Sequence, residues 1–277
     1  MILGDSTWPD LEGRRPILVL PVGSTEQHGP HLPLDTDMRV AMAVSLGLAD
    51  RLTPLLVAPA LPFGASGEHA GFPGTLSLGT EVLARVMIEI VRSADDTASG
   101  VVLVNGHGGN LEGLRQATSV LGAEGRRVLL WAPTAALARA ARPPRPATPR
   151  ASDPATLTGL AAPADPAGRP GPAGTMSVAG DLHAGRTETS LLLHLAPQHV
   201  RLDRATAGPV PSLDALVAHG VAALSSSGVL GDPTGASAAE GACLLAAYID
   251  HATEHLLAWA ARSGIPAPRR RTAHPTT

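Results

Sequence analysis

Short apolar runs at residues 17–22, 55–60, 101–105 and 127–132 alternate with longer stretches whose apolar positions recur at helical spacing, 38–52, 80–94 and 111–123. Strand–helix alternation at this interval predicts an α/β fold with a mostly parallel sheet and helices on both faces. In such folds ligands bind beyond the carboxyl ends of the strands. Residues 26–37 and 106–110 each follow a strand, so both are expected on that edge. Further along, 189–195 reads as a helix, 228–236 as turn-rich chain and 237–261 as a long final helix.

Residues 134–178 break the pattern. They are dominated by Ala, Pro, Gly and Arg without a sustained period, and such sequence buries too little apolar surface to offset its ordering entropy. The reading is one domain over residues 1–265, with a loop or flap at about 140–175 that is partly disordered without substrate. Residues 266–277 are expected to be a disordered tail, with the basic triplet 269–271 as a solvated end.

Composition narrows the partners. Only 2% of residues are aromatic against 44% hydrophobic overall, so Leu, Val and Ala must fill the core. A formal net charge of −3 gives no electrostatic reason to expect nucleic acid or an anionic membrane. Lysine is absent, and the one cysteine, Cys243, reads as a small core residue in an apolar helical pattern. No apolar run reaches the ~18–20 residues that span a bilayer and no signal peptide precedes the first strand, so the expected compartment is the cytoplasm.

The densest chemistry lies in residues 23–37, GSTEQHGPHLPLDTD, which hold two imidazoles and three carboxylates. Residues two apart on an extended chain share a face, so Glu26 and His28 can point at one ion. Mixed His and carboxylate ligands without cysteine suit Zn(II), Mn(II) or Fe(II). Asp35 reads as an N-cap and His31 as a structural residue. His107 lies in NGHGGN, where glycines permit a tight turn with positive φ and close backbone approach. His183 and Glu188 flank a glycine turn in DLHAGRTETS, and His69 lies in GASGEHAGFPGT. Taken singly, His107 could equally be a structural loop residue and Glu188 a capping acid.

Taken together, GSTEQHGPHLPLDTD, SGEHAGFPGT, NGHGGN and DLHAGRTETS resemble the creatininase (creatinine amidohydrolase) family over residues 17–110 and 178–195. The resemblance implies a doubly wound α/β fold with a two-metal hydrolytic centre at the sheet's carboxyl edge. By it, Glu26 and His107 would ligate one metal, His28 and Glu188 the other, and Asp37 would bridge both. One departure is informative. Creatininase carries a ligating glutamate two residues after the loop histidine, where this chain has Gly109. The carboxylate must come from elsewhere, and Glu188 is the natural candidate. The departure also weakens the case for creatinine, as does the placing of Trp8, Trp131 and Trp259 outside the matching segments.

VLGDPTGASAAEG and TETSLLLHL extend the likeness to the branch of the family found in mycofactocin gene clusters. Members of that branch are peptidases that cut the modified ribosomal precursor peptide before its crosslinked C-terminal Val-Tyr unit. The resemblance also implies a homo-oligomer, a hexamer or similar. Two divalent cations ~3.5–4 Å apart lower the pKa of bound water and polarise the amide carbonyl. Glu188 acts with the metals, His183 is assigned as general acid/base, and Ser66 and His69 as substrate contacts. The competing readings are a small-molecule cyclic amidohydrolase, on creatinine or a formamidopyrimidine-like substrate, and a non-catalytic scaffold. Intact ligand positions count against the scaffold.

Overall fold

The computed structural model describes residues 1–142 and 181–271. A short helix α1 (Trp8–Leu11) leads to strand β1 (Ile17–Val22), helix α2 (Thr36–Arg51), and strands β2 (Leu52–Thr53) and β3 (Leu55–Val57). Helix α3 (Thr80–Ser93), strand β4 (Gly100–Asn105), helix α4 (Leu111–Ala123), strand β5 (Val128–Trp131) and helix α5 (Ala135–Ala141) follow. The second described segment holds β6 (Asp181–His183), α6 (Arg186–Leu195), α7 (Leu213–Leu224), β7 (Leu230–Gly231), α8 (Ala238–Arg262) and β8 (Arg269–Arg270).

The central sheet has the order β3-β1-β4-β5 and is parallel throughout, with Val19 opposite Val57 on one side and Val102 on the other. Every residue of β1 and β4 is buried, as expected for strands covered on both faces. Alternate side chains divide between two cores. Ile17 and Val19 pack with Val44 and Leu48 of α2, Leu191 of α6 and Leu244 of α8. Leu18 and Leu20 pack instead with Leu83 and Met87 of α3 and Leu114 of α4. The sheet is therefore doubly wound. The chain leaves β1 to build β3 on one side and returns to build β4 on the other, so the order reverses between β1 and β4. That reversal opens a crevice beyond their carboxyl ends.

Leu103 at the centre of β4 is fully buried. Leu103→Ala is expected to lower the unfolding free energy by about 2–5 kcal/mol, read as a fall in the denaturant midpoint without metal.

Several elements depart from the sequence reading. Helix α5 forms inside the Ala/Pro-rich stretch because the Thr134 hydroxyl accepts from Leu137 N at 3.2 Å and Ala138 is buried in the first core. Helix α7 is started by Ser212, whose hydroxyl accepts from Ala215 N, and broken at Gly220, where φ is 71°. Cys243 is exposed on α8, whose buried face carries Leu244 and Tyr248 instead. Within the expected tail, Arg269–Arg270 pairs antiparallel with Leu52–Thr53, and Arg270 also meets Glu254 at 2.5 Å. Order therefore continues past residue 265, because β2 offers an edge to pair with. Residues 272–277, and the expected flap apart from residues 140–142, lie outside the described residues. No helix among the described residues is long and apolar enough to cross a membrane.

Candidate metal centre

Three loops converge beyond the ends of β1 and β4, and two asparagines of the NGHGGN segment staple them. The Asn110 amide donates to Gly23 O at 2.9 Å and to Asn105 Oδ1 at 3.1 Å, while its oxygen accepts from Ala65 N at 2.8 Å. Asn105 in turn donates to His107 O at 2.6 Å. None of Gly106, Gly108 and Gly109 has positive φ, so the expectation of left-handed backbone is corrected. Gly106 supplies room: a Cβ there would stand 2.3 Å from Asp37 O. The His107 loop thus lies directly against the first turn of α2, which carries Asp37.

The structure brings Glu26, His28, Asp37, His107, His183 and Glu188 to one point. Three groups among the described residues have ligand atoms close enough to share an ion: Glu26, Asp37 and His107; His28, Asp37 and Glu188; and Glu26, His28 and His183. The first two have Asp37 in common. Asp37 Oδ1 is 3.2 Å from His28 Nε2, and Oδ2 is 3.4 Å from His107 Nδ1. Glu26 Oε2 is 3.2 Å from His107 Nε2, and Glu188 Oε2 is 3.9 Å from His28 Nε2.

Surrounding groups orient these side chains. His28 Nδ1–H donates to Glu26 O at 3.2 Å, turning Nε2 towards the cluster, as metal-binding histidines are commonly held. His183 Nε2 must be a donor, because its 2.7 Å partner is the Gln27 carbonyl. That leaves Nδ1 as an acceptor, 3.8 Å from Glu26 Oε1. The Gln27 amide donates to His69 Nδ1 at 2.9 Å and Gly228 O at 3.1 Å. Glu188 accepts from Ala184 N at 2.6 Å. Ala184 holds a positive φ of 52°, a conformation that costs free energy outside glycine and is often found where function demands it. Asp181 accepts from Thr187 N and Oγ1, fixing the start of α6 one residue before Glu188.

The electrostatics are those of crowded charge. Burial raises Glu26 to about 7, against the pull of His107. Glu188 is likewise raised to about 7 by burial, against His28. For His28 and His107 burial acts downward, but the surrounding carboxylates, Asp37 foremost at His28 and Glu26 foremost at His107, together overcome it and raise each to about 10. His183 is driven well below its ordinary value by burial and by His28. His69 falls to about 2 by burial and by His107.

The residues fit a cation. Both oxygens of Glu26, which is fully buried, and Asp37 Oδ2 have no hydrogen-bond partner. Buried carboxylate oxygens are otherwise nearly always paired. Here imidazole nitrogens stand near them without hydrogen-bonding alignment, as ligands converging on a common ion would.

A cavity of about 810 Å³ opens over the cluster, with Asp37, His107, His183 and Glu188 in its floor. Helix α7 forms an apolar wall through Leu213, Leu216 and Val217, and Tyr248 of α8, buried, lines another side. His69 lines the cavity as expected, but Ser66 does not. Ser66 is fully buried, bonded to the Ser24 hydroxyl and 3.4 Å from His107 Nε2, so it backs the cluster and cannot touch substrate there. His31 donates to or accepts from Thr189 Oγ1 at 3.0 Å beneath the site. The sequence reading missed Tyr248 and the cavity residue Glu68. Glu68 is adjacent to His69 in a motif already singled out, whereas no local signal marks Tyr248.

The family model described as creatininase, creatinine amidohydrolase, matches residues 4–256. The chain belongs to the creatininase family. It is 42% identical over 270 residues to the mycofactocin precursor peptide peptidase of Mycobacterium tuberculosis (strain CDC 1551 / Oshkosh), covering 93% of this chain and 91% of that one. The corresponding peptidase of Mycobacterium ulcerans is 40% identical over 269 residues, with the same coverage. Among solved structures, a creatininase mutant of Zn–Zn type superimposes with a TM-score of 0.67 at 26% identity, over 96% of this chain and 98% of that one. The α/β architecture is thus that of creatininase, and the cluster lies in a family that contains metal-bearing amidohydrolases.

Proposed function

We propose that this creatininase-family chain is a metal-dependent peptidase that hydrolyses the modified mycofactocin precursor peptide and releases its C-terminal Val-Tyr-derived unit. The observation that carries the reading is the 42% identity to a peptidase of that name across 93% of the chain. The convergence of all five expected ligands supports it, and the apolar wall that α7 gives the cavity suits a peptide. The direct test is mass spectrometry of the crosslinked precursor after incubation with enzyme and Fe(II) or Zn(II), in which a small Val-Tyr-derived fragment is expected.

In this reading Glu26, His107 and Asp37 hold one divalent cation, and His28, Glu188 and Asp37 hold a second. Zn(II), Fe(II) and Mn(II) all suit such nitrogen and oxygen donors. Bound there, the cations supply Lewis acidity towards the amide carbonyl and favour ionisation of water. The protein's own groups do the rest. His183, neutral and fixed by the Gln27 carbonyl, presents Nδ1 to take up a proton and pass it to the departing amine. The Ala184 amide and the Asp181-capped start of α6 hold Glu188 in place.

Assembly into a homo-oligomer, a hexamer or similar, rests on family membership. Sedimentation at micromolar concentration is expected to show a multiple of the 28.1 kDa chain; a monomer there would reject it.

A further inference from the structure

Two imidazoles face the same oxygen of Glu26. His69 Nε2 stands 3.2 Å from Glu26 Oε1, and His183 Nδ1 stands 3.8 Å from it. The two rings lie side by side, their centroids 4.3 Å apart. His183 belongs to a group able to share an ion with Glu26, whereas His69 belongs to none among the described residues. The difference is one of hydrogens, and Gln27 decides it.

Gln27 is buried, and each of its polar atoms has a partner. Its main-chain N–H donates to Thr75 Oγ1 at 3.1 Å, and its carbonyl accepts from His183 Nε2 at 2.7 Å. The ends of a side-chain amide are told apart by their partners. Gly29 N–H can only donate, so the atom 2.9 Å from it is the amide oxygen. Gly228 O can only accept, so the atom 3.1 Å from it is the amide nitrogen. That nitrogen has a second hydrogen and lies 2.9 Å from His69 Nδ1. The other ring atom within reach, His183 Nε2 at 3.2 Å, gives its own hydrogen to the Gln27 carbonyl and has no lone pair to offer. His69 Nδ1 is therefore an acceptor, and the one hydrogen of the neutral ring sits on Nε2. The seat is built for this orientation. Gly29 and Gly228 have φ of 61° and 78°, and a Cβ at Gly228 would overlap the amide oxygen.

We propose that Gln27 is a positioning residue whose side-chain amide holds the hydrogen of His69 on Nε2, which keeps His69 from coordinating a cation beside Glu26 and leaves it as a hydrogen donor facing that carboxylate. Through its carbonyl Gln27 does the reverse for His183, whose Nδ1 keeps a lone pair. One residue thus sets what both rings present to Glu26 Oε1. The cation in this statement rests on the metal-centre reading above; the placing of hydrogens does not.

The test is solid-state ¹⁵N NMR of the full-length protein labelled at histidine, recorded without metal and after loading with Zn(II). Resonances lost in His69→Asn and His183→Asn give the assignments. In wild type His69 is expected to show hydrogen on Nε2 and none on Nδ1, and to keep that pattern with Zn(II) bound. Gln27→Met, of similar size but without the donor, should shift His69 to a mixture of both tautomers. His183 should be unmoved, because the main-chain carbonyl it binds is retained. Hydrogen on His69 Nδ1 in wild type, loss of hydrogen from Nε2 on loading with Zn(II), or an unchanged His69 in Gln27→Met would each overturn the proposal. A change at both histidines in Gln27→Met would also overturn it, by showing a collapsed loop and not a lost donor. The wild-type spectra decide even if that variant does not fold. Failure of wild type to take up Zn(II), with His69 protonated on Nε2, would strike the metal-centre reading and uphold the role of Gln27 in fixing the tautomer.

Discussion

Asp37→Ala is expected to lose at least one of two bound cations and to drop in turnover by about 10²–10³-fold or more, the cost of removing one electrostatic stabiliser from a reaction site. Asp37 is the residue that the groups Glu26, Asp37, His107 and His28, Asp37, Glu188 share, its oxygens divided between His28 at 3.2 Å and His107 at 3.4 Å. Without it the two halves of the centre no longer share a ligand. The metal-free protein should not suffer comparably, since Glu26 and Glu188 lose a like charge that disfavours their ionisation. Elemental analysis and melting without metal together check this. Full metal content in the variant would remove Asp37 from the bridging position. His183→Ala is the contrasting case: outside the five ligands, it should keep metal and lose roughly the 10²–10⁴-fold ascribed to a positioned proton-transfer group.

The meeting of Glu26, His28, Asp37 and His107 could be read from sequence because each lies in a dense motif after a strand of the parallel sheet, which sends such loops to one edge; Glu188, after β6 of a separate antiparallel pair, could be placed there only from its motif. Glu68 could not. It sits beside His69 in the motif, but its place lining the cavity 3.3 Å from His107 Nε2 is set by how the folded loops meet. Ser66 was misplaced for a related reason: proximity to a functional histidine in sequence does not say which side of it a hydroxyl occupies. Tyr248 sits in a 25-residue helix whose period accounts for it as core, so nothing local marks its place beside the cavity. Strand β1 was legible to the residue because its six positions are all buried and apolar. Strands β6 and β7 were not, since pairs such as His183 with Leu230 are set by tertiary packing rather than by local pattern. The glycines of NGHGGN were rightly expected to allow close backbone approach, but through the missing Cβ and not through φ.

The modified precursor peptide is expected to be cleaved near its C-terminus, with creatinine turned over negligibly if at all. A centre able to attack one amide can attack the other, so the choice falls to the cavity. Its volume of about 810 Å³ would leave a single small ring in contact with little beyond the floor. A peptide reaches the wall of α7, where Leu213 and Val217 stand 41% and 85% exposed in the free protein. Covering such apolar surface is worth about 1–3 kcal/mol per contact, or ~10–200-fold in relative kcat/KM. Leu216→Asp should therefore depress cleavage of the precursor while leaving metal content unchanged, because the residue lines the cavity on α7 and not in the cluster. The decisive comparison sets release of the Val-Tyr-derived fragment, followed by mass spectrometry, beside creatinine hydrolysis by the same metal-loaded preparation. An intact precursor together with efficient creatinine turnover would overturn the peptidase reading, and would mean that the apolar wall has some task other than holding a peptide.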